Sequence, residues 1–163
     1  MTMNIPKQIA KHFRDIYFGG NWTVSNLKEN VSDVTWQQAT TKVQDFNTIA
    51  TLVFHIHYFV KVASEVIEGK PLNGNDKLSF DHPPINSQND WLLFLDSVWS
   101  EGDQFASLIE NLPDTILLEN FTDGKYGNYY RNLTGIIEHA HYHLGQIVLI
   151  KKMVISLDEN PKK

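Results

Sequence analysis

Three of the seven histidines stand at alternate positions in one short stretch, EHAHYHLGQ (138–146). Apolar residues around this stretch recur at three- and four-residue spacings, which indicates a helix. A helix turns by about 100° per residue, so side chains four positions apart share a face and side chains two apart do not. His139 and His143 therefore form a pair one turn apart, and His141 points about 160° away from each of them.

A histidine pair at this spacing can bind one metal ion, because its ring nitrogens can converge about 2 Å from a common point. The pair lies at the edge of an apolar stripe, beside Ile136, Ile147 and Ile150. Two packed, hydrogen-bonded core histidines are therefore the alternative interpretation. Gln146 follows one turn after His143, where its side chain could orient a ligand or a bound water.

A second stretch, LVFHIHYFV (52–60), offers a third ligand. On the helical wheel His55 lies one step closer than His57 to the apolar stripe, so His55 is the predicted ligand and His57 the alternative. Three neutral imidazoles leave at least one coordination position open for water or substrate, which is typical of reactive sites. Such a set favours zinc or nickel, with manganese or iron as the alternatives.

Four amphipathic helices are predicted to position these residues. The first begins at Asn4 and Pro6 and breaks at GGNW (19–22), and the others are expected at about 47–68, 88–112 and 133–155. A short helix capped by Thr23 or Ser25 is predicted for TVSNLKENVSDV. Almost no strand signal is present, so the pattern predicts a single all-α domain over 1–163. The architecture predicted is a four-helix bundle with long connections between helices 2 and 3 and between helices 3 and 4.

The composition of the chain excludes several kinds of chemistry and of binding partner. The 163 residues include no cysteine, which excludes disulfides, thiolate metal ligands and a cysteine nucleophile. A net charge of −5 argues against a nucleic-acid partner. The N-terminal stretch lacks the apolar core of a signal peptide, and we expect no apolar run that approaches the roughly 20 residues of a membrane span. A cytoplasmic protein without a membrane partner is the resulting expectation.

The sequence resembles the DinB-like (DinB/YfiT) family of metal-dependent enzymes. The resemblance rests on a histidine within LVFHI, on the H-x-x-x-H pattern of HAHYH, and on the GQI that follows it. The YFGGNW break and the segment NYYRNLTGIIEHAHYHLGQIVLIKK are also similar to a DinB subfamily. In element order the likeness covers nearly the whole chain. His57 and His141 are additional histidines, and Leu144 stands where many members carry arginine.

The resemblance implies a bundle of unusual connectivity, frequent homodimers, and a pocket metal held by His55, His139 and His143. Relatives include S-transferases that use bacillithiol or mycothiol and a mycothiol-dependent maleylpyruvate isomerase. The leading hypothesis is therefore a metal-dependent hydrolase or a low-molecular-weight-thiol S-transferase acting on a small molecule. The alternative is a non-catalytic bundle that binds a small ligand or a protein partner.

Overall fold

The computed structural model describes residues 4–159, and their regular structure is entirely helical. The six α-helices are α1 (Ile5–Phe18), α2 (Leu27–Val31), α3 (Trp36–Thr40), α4 (Ile49–Ile67), α5 (Gln88–Glu110) and α6 (Tyr129–Glu159). Two 3₁₀ turns lie in the connections, at Leu78–Phe80 and Asp114–Leu118. The predicted all-α class is confirmed, and the four long helices α1, α4, α5 and α6 lie where the apolar periodicity predicts helices.

Side-chain caps determine where several helices begin. Asn4 caps α1 as predicted, because its side chain accepts a hydrogen bond from the Lys7 N–H at 2.9 Å. The prediction of Thr23 or Ser25 as the cap of α2 is wrong. Asn26 takes that role by accepting from the Glu29 N–H at 2.9 Å. The start of α6 is four residues earlier than predicted, since Asn128 accepts from the N–H of Arg131 in its first turn.

Each of the four long helices packs against two of the others. α4 contacts α5 and α6, and α1 contacts the same two helices from the other side. The core between them consists of fully buried aromatic and aliphatic side chains, the largest being Trp91, Tyr17, Phe13 and Phe105. Burial of such side chains is the main stabilising contribution to a helical protein, since each contributes about 1.5–3 kcal/mol. The histidine-bearing helices α4 and α6 are thus direct neighbours.

Helix α4 is both apolar and central. By length and composition alone it could cross a membrane, so the expectation that no apolar run approaches that length is too strong. This is weak evidence for a membrane span, because a core helix has the same composition. In α4, 56% of the most apolar stretch is buried inside the protein.

The two long connections fold back towards α4 and α6. The 3₁₀ turn Leu78–Phe80 packs against α4. The second connection makes a tight turn in which Asn120 and Asn128 form an isolated antiparallel bridge. Gly124 and Gly127 have φ angles of 87° and 81°, which glycine adopts without strain. The Gly127 N–H donates to the Gly124 carbonyl at 3.1 Å and closes this turn, and both connections contribute side chains near the histidines.

Candidate metal centre

The three predicted ligands converge in the structure. One ring nitrogen from each of His55, His139 and His143 lies within 4.8 Å of the other two. The Nε2 atoms of His55 and His139 are 3.0 Å apart. His55 and His143 are only 5% and 9% exposed, and His139 is half-buried. α4 supplies the first ligand and α6 the other two, from adjacent turns of one helix face.

The His55 ring is oriented by a residue from the connection between α4 and α5. Its Nδ1 lies 2.7 Å from the hydroxyl oxygen of Ser79, and that hydroxyl donates its proton to the Asp76 carbonyl at 2.6 Å. Since the Ser79 proton is used there, its oxygen must accept from the His55 Nδ1–H. The neutral ring then carries its lone pair on Nε2, the atom that faces His139.

The His143 ring is oriented in the same way by its own helix. Its Nδ1 lies 2.6 Å from Oε1 of Gln146, one turn later on α6. An amide oxygen only accepts hydrogen bonds, so the His143 Nδ1 carries the proton and Nε2 is left with the lone pair. Gln146 therefore orients the ring of His143, and its role towards a ligand or a bound water stays a prediction.

Burial favours the neutral form of the His139 and His55 rings. Desolvation is the main cause that lowers the pKa of His139 to about 4, and the positive charges of protonated His143 and His55 lower it further. The pKa of His55 is also lowered, by burial and then by His143. The Asp76 carboxylate opposes both shifts by favouring the charged imidazoles. Neutral rings near pH 7 are the form that binds a metal ion.

Aromatic side chains enclose the cluster. Phe80 stacks on the His55 ring with centroids 4.0 Å apart. Phe59 places its edge against His55 and His139 at centroid distances of 5.3 and 5.2 Å. The site thus contains two imidazoles oriented by hydrogen bonds, a third imidazole facing them and apolar side chains around all three. This arrangement fits a divalent ion that keeps one coordination position open for another ligand.

A cavity of about 470 Å³ opens beside His55 and His139. Its wall combines Phe59 with three charged side chains, Asp76, Lys125 and Arg131. A volume of this size is in the range typical of small-molecule sites. The cluster is therefore accessible from a pocket in which a small molecule could contact it.

The other two histidines of these stretches lie outside the cluster. His57 turns to α5, where its Nε2 lies 3.0 Å from a carboxylate oxygen of Glu101. His141 turns to α1, and its ring centroid is 6.0 Å from that of His12. The structure thus brings together the predicted set and leaves out His57, the alternative ligand, and His141, the predicted outlier.

The sequence interpretation missed Ser79 and Asp76. Both lie in the stretch LNGNDKLSFDHPPINSQ (72–88), whose polar, turn-rich composition indicates only a loop. The single local signal is the apolar pair around Ser79, Leu78 and Phe80. That signal does not reveal which helix the loop packs against, so no metal-site role could be assigned to it.

Comparisons with protein-family models, with curated proteins and with solved structures give no match to this chain. The DinB-like resemblance therefore stays a prediction from the sequence motifs. What the structure itself contributes is the buried cluster of His55, His139 and His143, close enough together to hold one metal ion.

Proposed function

We propose that this chain is a metal-dependent enzyme of the DinB-like family, in which α1, α4, α5 and α6 form a four-helix bundle around a three-histidine site. One observation carries the proposal. Ring nitrogens of His55, His139 and His143 converge within 4.8 Å, and hydrogen bonds to Ser79 and Gln146 leave the lone pairs of His55 and His143 on Nε2. Core histidines that serve packing alone have no need to bring three ring nitrogens together.

The proposed chemistry divides between a bound ion and the side chains around it. When bound, a divalent ion would supply a Lewis-acidic position for a water molecule or for the sulfur of a low-molecular-weight thiol. The hydrogen bonds that His55 and His143 donate to Ser79 and Gln146 hold these two rings in one tautomer. Asp76, whose carboxylate lines the cavity, is placed to accept the proton that a thiol or water releases. Phe59 and Phe80 limit the access of bulk water.

Both proposed reaction types, hydrolysis and thiol S-transfer, use this arrangement. In the transferase the thiol is a second substrate, because the chain contains no cysteine that could supply the sulfur. In the hydrolase the nucleophile is water. Zinc or nickel is the proposed ion, with manganese or iron as alternatives, and we propose a cytoplasmic homodimer acting on a small molecule.

The test is the metal content of the protein purified without a histidine tag, measured by inductively coupled plasma mass spectrometry. We expect about one divalent ion per chain in the wild type and almost none in His139→Ala, which lacks one of three ligands. His141→Ala is the matched control, since it removes a histidine from the same helix that faces away from the cluster. Full metal retention in His139→Ala would support the non-catalytic bundle instead.

A further inference from the structure

We propose that the cavity beside the histidines binds an organic anion, a small molecule whose carboxylate or phosphate group is held by Lys125 and Arg131. The apolar body of this ligand would occupy the adjoining pocket beneath Tyr126. This proposal rests on the proposed function only in placing the reacting end of the ligand at the three histidines. It adds the chemical class of the substrate.

The two cations lack carboxylate partners in the part of the chain that the structure describes. Arg14 there binds Asp103 and Glu110 and Lys151 binds Asp33, whereas several exposed lysines form no ion pair; Lys125 and Arg131 differ from those lysines in lying together at one cavity. Lys125 and Arg131 belong to none of the ion pairs formed within residues 4–159. In a chain with a net charge of −5, two unpaired cations at one cavity mark a local positive region.

Local structure holds both cations at the cavity wall. Arg131 lies in the first turn of α6, where its N–H donates to the Asn128 side chain at 2.9 Å. Lys125 lies in the preceding tight turn, with its N–H bonded to Asp123 and its ammonium 5.1 Å from the centre of the Tyr126 ring. A Cβ at Gly127 would come within 3.0 Å of the Arg131 Cδ, so glycine leaves space for the arginine stem.

An apolar pocket of about 310 Å³ continues from the cavity. The two spaces share the apolar and aromatic walls Phe59, Tyr126 and Ile136 and the polar residues Asp76 and Asn132. Val62 and Phe121 extend the apolar surface away from the histidines. A ligand that fills both spaces would place a ring-sized apolar group in the apolar pocket and a charged group beside Lys125 and Arg131. Burial of that group would contribute to its affinity in proportion to the apolar area covered.

The charge of the cavity favours an anion over a neutral or cationic ligand. Asp76 is the one acidic side chain in its wall, against the two cations. A divalent ion at the histidines would add positive charge to the same space. Charge-assisted hydrogen bonds from arginine to carboxylate or phosphate are stronger than neutral ones, and arginine can make two in parallel.

Phenylacetate and its uncharged analogue phenylacetamide test the proposal by isothermal titration calorimetry. We expect phenylacetate to bind about tenfold tighter than phenylacetamide to the metal-free protein, and at least as much tighter to the zinc-loaded protein. Arg131→Gln and Lys125→Gln should each remove most of this preference and leave phenylacetamide binding unchanged. Lys42→Gln and Lys152→Gln remove a charge from exposed positions outside the cavity and serve as controls. Phenylphosphonate in a parallel titration distinguishes a phosphate-binding site from a carboxylate-binding one.

Two results would overturn the proposal. One is equal affinity of the wild-type protein for phenylacetate and phenylacetamide. The other is a loss of phenylacetate binding in the control variants as large as in Arg131→Gln and Lys125→Gln, which would indicate an effect of net charge only. Zinc affinity measured on the same proteins separates this inference from the proposed function. Zinc binding without an anion preference contradicts the anion site alone, whereas an anion preference without zinc binding supports the anion site and contradicts the metal site.

Discussion

Helices α4 and α6 carry two groups of histidines: the cluster of His55, His139 and His143, and a second group of His57 and His141. The groups differ in their surroundings more than in their burial. His55 and His57 are 5% and 3% exposed, yet only His55 joins the cluster. In the cluster, hydrogen bonds occupy the Nδ1 atoms of His55 and His143 and leave the lone pair of each ring on Nε2. In the other group, Nδ1 of His57 and Nε2 of His141 are buried without a hydrogen-bond partner in the described structure.

This difference shows what distinguishes a candidate metal site from histidines that merely lie in a core. Burial and sequence proximity are common to both groups. Of the two groups, only the cluster brings three ring nitrogens together, and only the cluster lies beside a cavity that a ligand can enter. Its rings also belong to facing helices and approach one another, whereas His57 and His141 face different helices, α5 and α1.

The largest effect expected is on metal affinity when a ligand is removed. His143→Ala should weaken zinc binding by more than the roughly 10- to 100-fold that follows the loss of a ligand's hydrogen-bond partner. His57→Ala removes an equally buried histidine from the other group and should leave zinc affinity unchanged. Competition titration with a chromophoric chelator measures both. If both variants lost zinc affinity equally, the two groups of histidines would not differ in metal binding.

The next effect concerns the hydrogen bond that orients His55. Ser79→Ala should weaken zinc binding about 10- to 100-fold, because the His55 Nδ1–H loses its acceptor and the ring loses its fixed orientation. Ser64→Ala is the control, since that α4 hydroxyl bonds only to the Val60 carbonyl. The same titration applies. Unchanged zinc affinity in Ser79→Ala would show that the loop does not support the site.

A core substitution near the second group should lower stability without affecting metal affinity. A Cβ at Gly102 would lie 2.9 Å from the fully buried Tyr17 ring, too close for ordinary packing. Overpacking costs about 1–3 kcal/mol, and alanine regains up to about 1 kcal/mol of helix propensity. Gly102→Ala should therefore lower the free energy of unfolding by about 1 kcal/mol in urea titrations.

The matched control is Gly145→Ala, at an exposed α6 position where a Cβ would meet no atom within 4 Å. We expect it to be neutral or slightly stabilising. A Gly102→Ala protein as stable as Gly145→Ala would mean that the contact between α1 and α5 is looser than described. A change in zinc affinity in Gly102→Ala would mean that the two regions are coupled.

The smallest effect expected is the pH-dependent contribution of Glu101. A hydrogen bond from His57 is the main cause that lowers the pKa of this carboxyl, and the charges of His57 and Lys61 add to it. A lowered pKa stabilises the fold above the unfolded-state pKa of about 4.3, and this contribution is lost as the pH falls through the folded-state value. Because Glu101 is partly exposed, Glu101→Gln should cost less than about 1 kcal/mol at pH 7.

Urea unfolding of Glu101→Gln and of the wild type at a series of pH values checks this expectation. The stability difference should shrink towards zero below the folded-state pKa, where the wild-type carboxyl is also uncharged. A difference that stays constant with pH would mean that the glutamate contributes through packing and not through its charge. Zinc affinity should be the same in both proteins near pH 7.

Much of this arrangement could be predicted from the sequence, because its determinants are local. The spacing of His139 and His143 on one helix fixes their common face, and the apolar stripe of α4 distinguishes His55 from His57. The four long helices follow from three- and four-residue apolar spacings for the same reason.

The remaining features depend on contacts between distant parts of the chain. Ser79 reaches His55 only because its loop packs against α4, and a polar loop carries no periodic pattern that reveals its path. The position of Lys125 and Arg131 at one cavity depends on the turn before α6, including the close approach of Gly127 to the arginine. Such tertiary placements follow from the folded structure and not from residue spacing.

The measurement that tests the central claim most directly is a crystal structure of the tag-free protein with anomalous diffraction collected at metal absorption edges. We predict one anomalous peak per chain, about 2 Å from Nε2 of His55, His139 and His143, and the edge would identify the metal. No peak at this position after incubation with zinc or nickel would contradict the account, as would an ion held by His57 or His141.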